Sequence, residues 1–350
     1  MVRLVPLYDA VADLPLEVDS YELERLDLVV SPEFTRVTTL VHLRGGGEEG
    51  TGEDVTYTAP DHPPPADLPL AGSHTLDSFS RLLETLALFP REPQMEASRD
   101  YRRWAFESAA LDLALRQAGK SLAEAVGREP SSVTFVSSKR LADPQSVDQI
   151  RAWLDLYPGL RFKLDPTSTW DDRLIEDLAA TRAVDSVDLK GAYKGTPVDL
   201  PPDPDLYRRV IEGLPEAWIE DPAVTDETRP ILEPHSARVT WDAPIHSVED
   251  IENAPWPPRS INIKPSRFGS VRRLFDAYDY CAAHDIAPYG GGQWELGPGR
   301  GHIQYLASLF HPDTPNDVAP GGYNASEPRP GLAESPLEPQ VVPTGFQWGG

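Results

Sequence analysis

Five short segments decide the reading of this chain: RFKLD (161–165), SVDLK (186–190), AWIED (217–221), RVTWD (238–242) and INIKP (261–265). Each is β-like and finishes on a charged tip, in order Lys163, Asp188, Glu220, Asp242 and Lys264, at separations of 25, 32, 22 and 22 residues. Each separation suits one βα unit. Side chains two apart on a strand share a face, so Phe162 and Leu164 lie opposite Lys163, Val187 and Leu189 opposite Asp188, and Ile219 opposite Glu220. Likewise Val239 and Trp241 oppose Asp242, and Ile261 and Ile263 oppose Lys264. One face is apolar throughout and the other is charged.

A parallel sheet covered by helices on both faces reads as continuous hydrophobic runs, so a repeated charged face has to converge on something. In a closed (β/α) barrel the inward faces converge, and catalytic groups sit at the C-terminal strand ends. Three carboxylates flanked by two lysines would then share one mouth. The same five tips also have a structural reading, because an acid before Pro166 or Pro222 is a common turn choice; five in order at βα spacing favour function.

Working outward, the chain supplies the remaining units. SSVTFVSS (131–138) reads as a strand and SVDQIRAWLDLY (146–157) as a helix, and helical text fills 170–183 and 269–284. A seventh strand is expected over 285–292, a helix over 299–310 and an eighth strand over 314–320. The first strand ends FVSSKRL without the Gly-rich phosphate loop of doubly wound sheets, which favours the barrel. Ahead of it, RVTTLVHLRG (36–45), a Gly/Glu-rich turn over 45–53 and EDVTYTA (53–59) predict a hairpin. Helices are predicted over 75–89 and 99–127, the latter with a stop at Gly119. The Pro-rich stretch 61–69 reads as a connector or a mobile loop. The expected organisation is α/β: a modified TIM barrel, (β/α)7β, over 99–320, an α+β capping domain over 1–98, and a segment over 321–350 that packs back on the cap.

A length of 350 residues accommodates a barrel of about 250 residues plus a smaller domain. The net charge of −24 argues against nucleic-acid binding, which needs a basic stripe to neutralise phosphates. No run approaches the ~20 apolar residues of a membrane span, and the N-terminal text has no signal-like apolar core. With a single cysteine, Cys281, expected in the core, the reading is a cytoplasmic protein without disulfides.

The ordered tips RFKLD, VDLKG, WIEDP, TWDAP and INIKPSRFG, together with WAFESAALDLALRQAGKSL (104–122), resemble the enolase superfamily. Within it the chain is similar to the mandelate racemase/muconate lactonizing enzyme group, and to its muconate lactonizing enzyme and o-succinylbenzoate synthase subgroup, over nearly its whole length. The resemblance implies Mg²⁺ held by Asp188, Glu220 and Asp242, with Lys163 and Lys264 as acid/base groups. It implies a lyase or isomerase that removes the α-proton of a small-molecule carboxylate to give an enediolate, leading to racemisation or epimerisation, cycloisomerisation, or dehydration. The residue chemistry is compatible: Mg²⁺ takes oxygen ligands, and a lysine serves as base when burial and nearby positive charge lower its pKa. The alternatives are a metal-free Schiff-base barrel using either lysine and a non-catalytic ligand-binding barrel. A homo-oligomer is compatible with these readings, and no nucleic-acid or membrane partner is expected.

The chain departs from that pattern in places. Arg161 stands where the subgroup has a first lysine, and its fixed charge is expected to tune Lys163. Ala243 follows Asp242 where an acid is usual. The eighth strand lacks the Asp-x-Asp that dipeptide epimerases use to hold an α-ammonium group. Lys190 either approaches the metal site or pairs with Asp165, the ion pair being the expectation; His246 is expected to serve as a helix cap rather than reach the mouth, and Gly290–Gly292 to form a turn rather than a close backbone approach to a ligand. Substrate identity is expected in the cap loops near Leu14–Tyr21 and Tyr57–Ala66.

Overall fold

The computed structural model describes residues 6–32, 34–63, 67–193, 199–340 and 342–349. Pro64, Pro65 and Ala66 of the 61–69 stretch lie outside the described residues, as does the 194–198 segment. The cap opens with β1 (Pro15–Val18), β2 (Ser20–Ser31), β3 (Phe34–Gly45), β4 (Glu48–Asp54) and β5 (Gly72–Thr75), followed by α1 (Leu76–Glu84) and α2 (Ser98–Gln117). Strands β2, β3 and β4 form an antiparallel sheet, and β1 pairs with β5. The β3–β4 turn is the two-residue loop Gly46–Gly47, with φ of 58° and 84°, the left-handed backbone that a tight hairpin of this kind demands. The turn is therefore shorter than the 45–53 stretch that composition alone predicts, and EEGTGED is strand.

The glycines inside β4 have a packing reason. A Cβ at Gly52 would overlap the carbonyl oxygen of Ala105, and one at Gly50 the backbone of α2 at Ala109 and Leu113. Removing both side chains lets α2 lie directly on the sheet, with Ala105, Ala109 and Leu113 fully buried. The long helix, which opens the barrel segment in the sequence division, thus packs on the cap. It ends near Gly119, at φ 63°, and α3 (Leu122–Val126) follows behind a Ser121–Glu124 capping box.

The barrel runs through β6 (Val136–Lys139), α4 (Asp148–Leu156), β7 (Arg161–Leu164), α5 (Asp172–Thr181), β8 (Val184–Asp188), α6 (Pro204–Gly213), β9 (Trp218–Glu220), α7 (Arg229–Leu232) and β10 (Val239–Thr240). It continues with α8 (Val248–Glu252), β11 (Ser260–Ile263), α9 (Pro265–Phe268), α10 (Val271–Ala283), β12 (Ala287–Gly290) and α11 (Gly299–Phe310). Strands β6 to β10 are parallel neighbours in sequence order, as are β11 and β12. Single parallel bridges close the ring: Trp241 with Ile261, Gly291 with Asp317, and Phe135 with Asn316. The eighth position is thus filled by a bridge-length segment at 316–317. Asn316 anchors it, its amide donating to the carbonyls of Thr134, His311 and Thr314, each at 2.9 Å. The short crossovers, 22 residues from tip to tip, leave room only for the short helices α7 and α8.

Both faces of the barrel strands are withdrawn from water. Phe162, Leu164, Val187, Ile219, Ile261 and Ile263 are buried outward against the helices, and the charged tips are buried inward. After residue 321 the chain divides its contacts. Tyr323 packs on Phe135, Trp153 and Tyr157 at ring distances of 5.2 to 5.5 Å, and Leu337 pairs with Val133, all on the barrel. Further on, Phe346 stacks on His302 at 4.3 Å, and its N–H donates to Asp112 Oδ1 of α2 at 2.7 Å. Among the described residues no helix is long and apolar enough to cross a membrane.

Because Gly52 faces the α2 backbone, which cannot yield as a side chain can, Gly52→Ala should destabilise the protein by about 1–3 kcal/mol. The midpoint of urea unfolding measures this; Gly159→Ala, in open space and without a left-handed backbone, should cost less.

Candidate metal centre and active site

The five tips predicted from parity meet at the C-terminal end of the barrel. Asp188 closes β8, Glu220 closes β9 and Asp242 follows β10; their carboxylate oxygens lie within 4.8 Å of one another and all three side chains are fully buried. Lys163 on β7 donates from Nζ to Glu220, with Asp188 at 3.3 Å and Asp317 at 3.5 Å. Lys264, directly after β11, donates to Asp242 Oδ2 at 2.8 Å. Strands β7 and β11 stand four apart in the ring of eight, so the two lysines come from opposite walls.

Several groups around this centre were not evident in the sequence. Arg267 on α9 donates from Nη1 to Asp242 Oδ1 at 2.6 Å, and only its place one turn beyond Lys264 hints at this. Tyr289 donates to Glu220 Oε2 at 2.8 Å and Tyr193 to Asp242 Oδ2 at 2.7 Å. Asp221 adopts φ 47°, outside the usual L-residue range, and accepts the N–H groups of Asp242 and Ala243, both at 2.8 Å. Its carboxylate thereby fixes the end of β10. Asp317, on the eighth strand segment, brings an acid to the Lys163 side.

The electrostatics follow from burial and crowding. Burial pushes the Glu220 carboxyl upward, and although Lys163 opposes this, Asp188 and Asp242 reinforce it, leaving it well above the carboxylate range. Burial also raises Asp221, to about 7, with Asp242 and Asp188 adding to the shift. For Asp242 burial acts upward, but Arg267, Lys264 and Lys163 overcome it and hold the group well below the usual range. The lysines diverge. Burial lowers both, yet Glu220, Asp188 and Asp317 together carry Lys163 well above its ordinary value. Lys264 stays lowered because Arg267 and Lys163 assist burial against Asp242.

Other expectations are corrected or refined. Arg161, at the start of β7, is turned to other partners: its Nε donates to Asp185 Oδ1 at 2.9 Å and its side chain is 40% exposed. The second ammonium near Asp188 is instead Lys190, which pairs with Asp188 and lies 3.6 Å from Asp165. Gly290 and Gly291 are not a turn: Gly290 ends β12 and Gly291 forms the bridge to Asp317. A Cβ at Gly291 would stand 2.6 Å from Asn262 Oδ1 and 2.7 Å from Lys264 Cε, so glycine makes room for the lysine. His246 lies at the start of α8, its N–H donating to Asp250 Oδ2 at 3.0 Å, apart from the carboxylates. Cys281 is a buried thiol, raised to about 12 by burial.

The cap reaches the mouth through fixed contacts. Fully buried Arg36 donates to the carbonyls of Val55, Thr56 and Gln293, each at 2.8 Å, and Tyr57 donates to Gln293 Oε1 at 3.1 Å. Gln293 in turn donates to Tyr101 Oη at 3.1 Å. Glu53 accepts the N–H groups of Leu296, Gly297 and Gly299 at 2.7 to 3.1 Å, ahead of and into α11, where a carboxylate complements the helix dipole. Tyr21, from the other cap stretch, packs on Phe106 and accepts the N–H of Leu68 at 3.0 Å.

Two family models match in tandem: the domain of unknown function DUF8230, N-terminal domain, over residues 9–125, and its C-terminal domain over 129–325. The chain belongs to the DUF8230 family. Its fold is that of the enolase superfamily. A dipeptide epimerase from Methylococcus capsulatus, complexed with Mg and the dipeptide L-Arg-D-Lys, superposes with a TM-score of 0.70 at 17% identity, covering 96% of this chain and 100% of that one. An N-succinylamino acid racemase from Amycolatopsis is 32% identical over 240 residues, 64% of this chain and 60% of the relative. An o-succinylbenzoate synthase from Bacillus subtilis is 26% identical over 228 residues, 61% and 57% respectively. The match thus spans about three fifths of the length of these two relatives.

The donor set suits a divalent cation. Three hard oxygen donors converge, fully buried, and Lys163, Lys190, Lys264 and Arg267 compensate their charge. Replacing Glu220 by Gln, which keeps shape and removes charge, should weaken Mg²⁺ binding by about tenfold or more while the circular dichroism spectrum is retained. Titration calorimetry measures this, and unchanged affinity would remove Glu220 from the ligand set.

Proposed function

We propose that this protein is a Mg²⁺-dependent enzyme that abstracts the α-proton of a small-molecule carboxylate, with racemisation or epimerisation as the reaction. The carrying observation is the pair of lysines on strands four apart, with the convergent carboxylates between them. Asp188, Glu220 and Asp242 would hold the cation and, through it, the substrate carboxylate. When bound, Mg²⁺ supplies the positive charge against which negative charge on the substrate develops as the proton leaves.

The chain's own residues then divide the proton transfers. Lys264, lowered by burial, takes the α-proton on its side of the substrate. Lys163, held protonated by Glu220, Asp188 and Asp317, delivers a proton from the opposite side. One C–H bond breaks and another forms at the same carbon with inverted configuration, and no electrons are exchanged with an external partner. In the reverse direction the two lysines trade roles. Tyr289 and Tyr193 hold Glu220 and Asp242 in place, and Asp221 fixes the backbone of Asp242. The cap residues Arg36 and Tyr57 and the barrel residue Gln293 would exclude water from the mouth.

The similarity to an N-succinylamino acid racemase and an o-succinylbenzoate synthase makes N-succinyl amino acids the first substrates to test. With Mg²⁺ in D₂O, wild type should incorporate deuterium at the α-carbon of both enantiomers, read by mass spectrometry. Lys163→Ala and Lys264→Ala should each lose turnover by about 10²–10⁴-fold. Each should still wash out the α-hydrogen of one enantiomer only, the opposite one in the two variants. Full activity in either variant would remove that lysine from the mechanism.

A further inference from the structure

Lys190 occupies a position that the proton-transfer scheme does not use. It follows Asp188 by two residues and adopts φ 54°, a left-handed conformation that is uncommon for a long side chain. That backbone turns the residue onto its neighbour. Its N–H donates to Asp188 Oδ1 at 3.1 Å and its ammonium donates to Asp188 Oδ2, so one residue engages both oxygens of the same carboxylate. Asp188 is one of the three carboxylates that converge. A divalent cation between them needs an Asp188 oxygen and cannot share it closely with an ammonium group.

A second acceptor waits nearby. Asp165, one residue beyond β7, has its Oδ1 buried with no hydrogen-bond partner among the described residues, and that atom lies 3.6 Å from Lys190 Nζ. A buried carboxylate oxygen without a partner is costly unless a donor reaches it. The ammonium of Lys190 therefore stands between a carboxylate it holds and a carboxylate it can reach by a short swing of its flexible stem.

We propose that Lys190 is a built-in competitor for the metal site, whose ammonium occupies Asp188 when the cation is absent and transfers to Asp165 when it binds. This rests on the metal reading of the carboxylates and adds a device that sets their affinity. Asp165 lowers the cost of displacing the ammonium, and Lys190 keeps the emptied site from gathering uncompensated charge. Lys163 and Lys264 also neutralise the carboxylates, but they remain in the scheme above as proton carriers; Lys190 is free to move aside.

The test is titration calorimetry of Mg²⁺ and of Mn²⁺ on the full chain, with folding monitored by circular dichroism. Lys190→Met, which keeps the stem and removes the charge, should bind both ions about tenfold more tightly than wild type. Asp165→Asn leaves the lysine in place without its second anion and should bind several-fold more weakly. The double variant should match Lys190→Met, because Asp165 acts only through the lysine. Unchanged or weaker binding by a folded Lys190→Met, or an Asp165→Asn loss that persists in the double variant, would overturn the inference. Should Lys190→Met not fold, unaltered affinity in Asp165→Asn overturns it alone. If neither wild type nor Lys190→Met binds either ion, the metal reading itself falls with it.

Discussion

Like charge gathered in a dry place is the constraint on which the rest of this structure depends. Three carboxylates with oxygens within 4.8 Å of one another are withdrawn from water. At an effective dielectric of about 20, two unit charges at roughly that distance repel by about 3–4 kcal/mol, before any cost of desolvation. The barrel answers with Lys163, Lys190, Lys264 and Arg267, and with phenol donors from Tyr193 and Tyr289. An arrangement so expensive to hold without a ligand makes sense when a divalent cation completes it. Under the proposed function the compensating lysines would have a second use, since groups placed to neutralise the carboxylates would also flank a carboxylate substrate held by the cation.

Keeping that centre dry requires the cap to be fixed to the barrel rather than merely adjacent. Arg36 and Glu53 do this with opposite charges. The first is spent on carbonyls from both the cap and the Gln293–Trp294 loop, and the second on the N–H groups at the start of α11. Gly50 and Gly52 bring α2 against the sheet, and α2 carries Tyr101, which receives the hydrogen bond from Gln293. A steric requirement inside a cap strand is in this way linked to the geometry of a loop at the barrel mouth.

The parts of this arrangement that were legible in the sequence are those set by a local period. Alternation along RFKLD, SVDLK, AWIED, RVTWD and INIKP placed Lys163, Asp188, Glu220, Asp242 and Lys264 on one face, and the separations implied the βα repeat. What stayed hidden depends on backbone conformation or on distant segments. EEGTGED reads as a turn until α2 is seen lying on its glycines. Gly290–Gly292 looks like a turn until Lys264 is seen to need the space. Arg161 shares the parity of Lys163, but at the start of β7 it is turned to Asp185. Asp221 and Lys190 gain their contacts through positive φ, which composition does not announce for these residue types. Arg267, Tyr193 and Tyr289 reach the centre from outside the five tips.

The central claim is that Asp188, Glu220 and Asp242 form one divalent-cation site between Lys163 and Lys264. Anomalous diffraction from crystals grown with Mn²⁺ tests it most directly, since the ion locates itself without reference to activity. The account predicts one strong peak bonded to an oxygen of each of the three carboxylates, with both lysines facing the space beside it. Its absence there at saturating Mn²⁺, or a peak bound at other residues, would contradict the account.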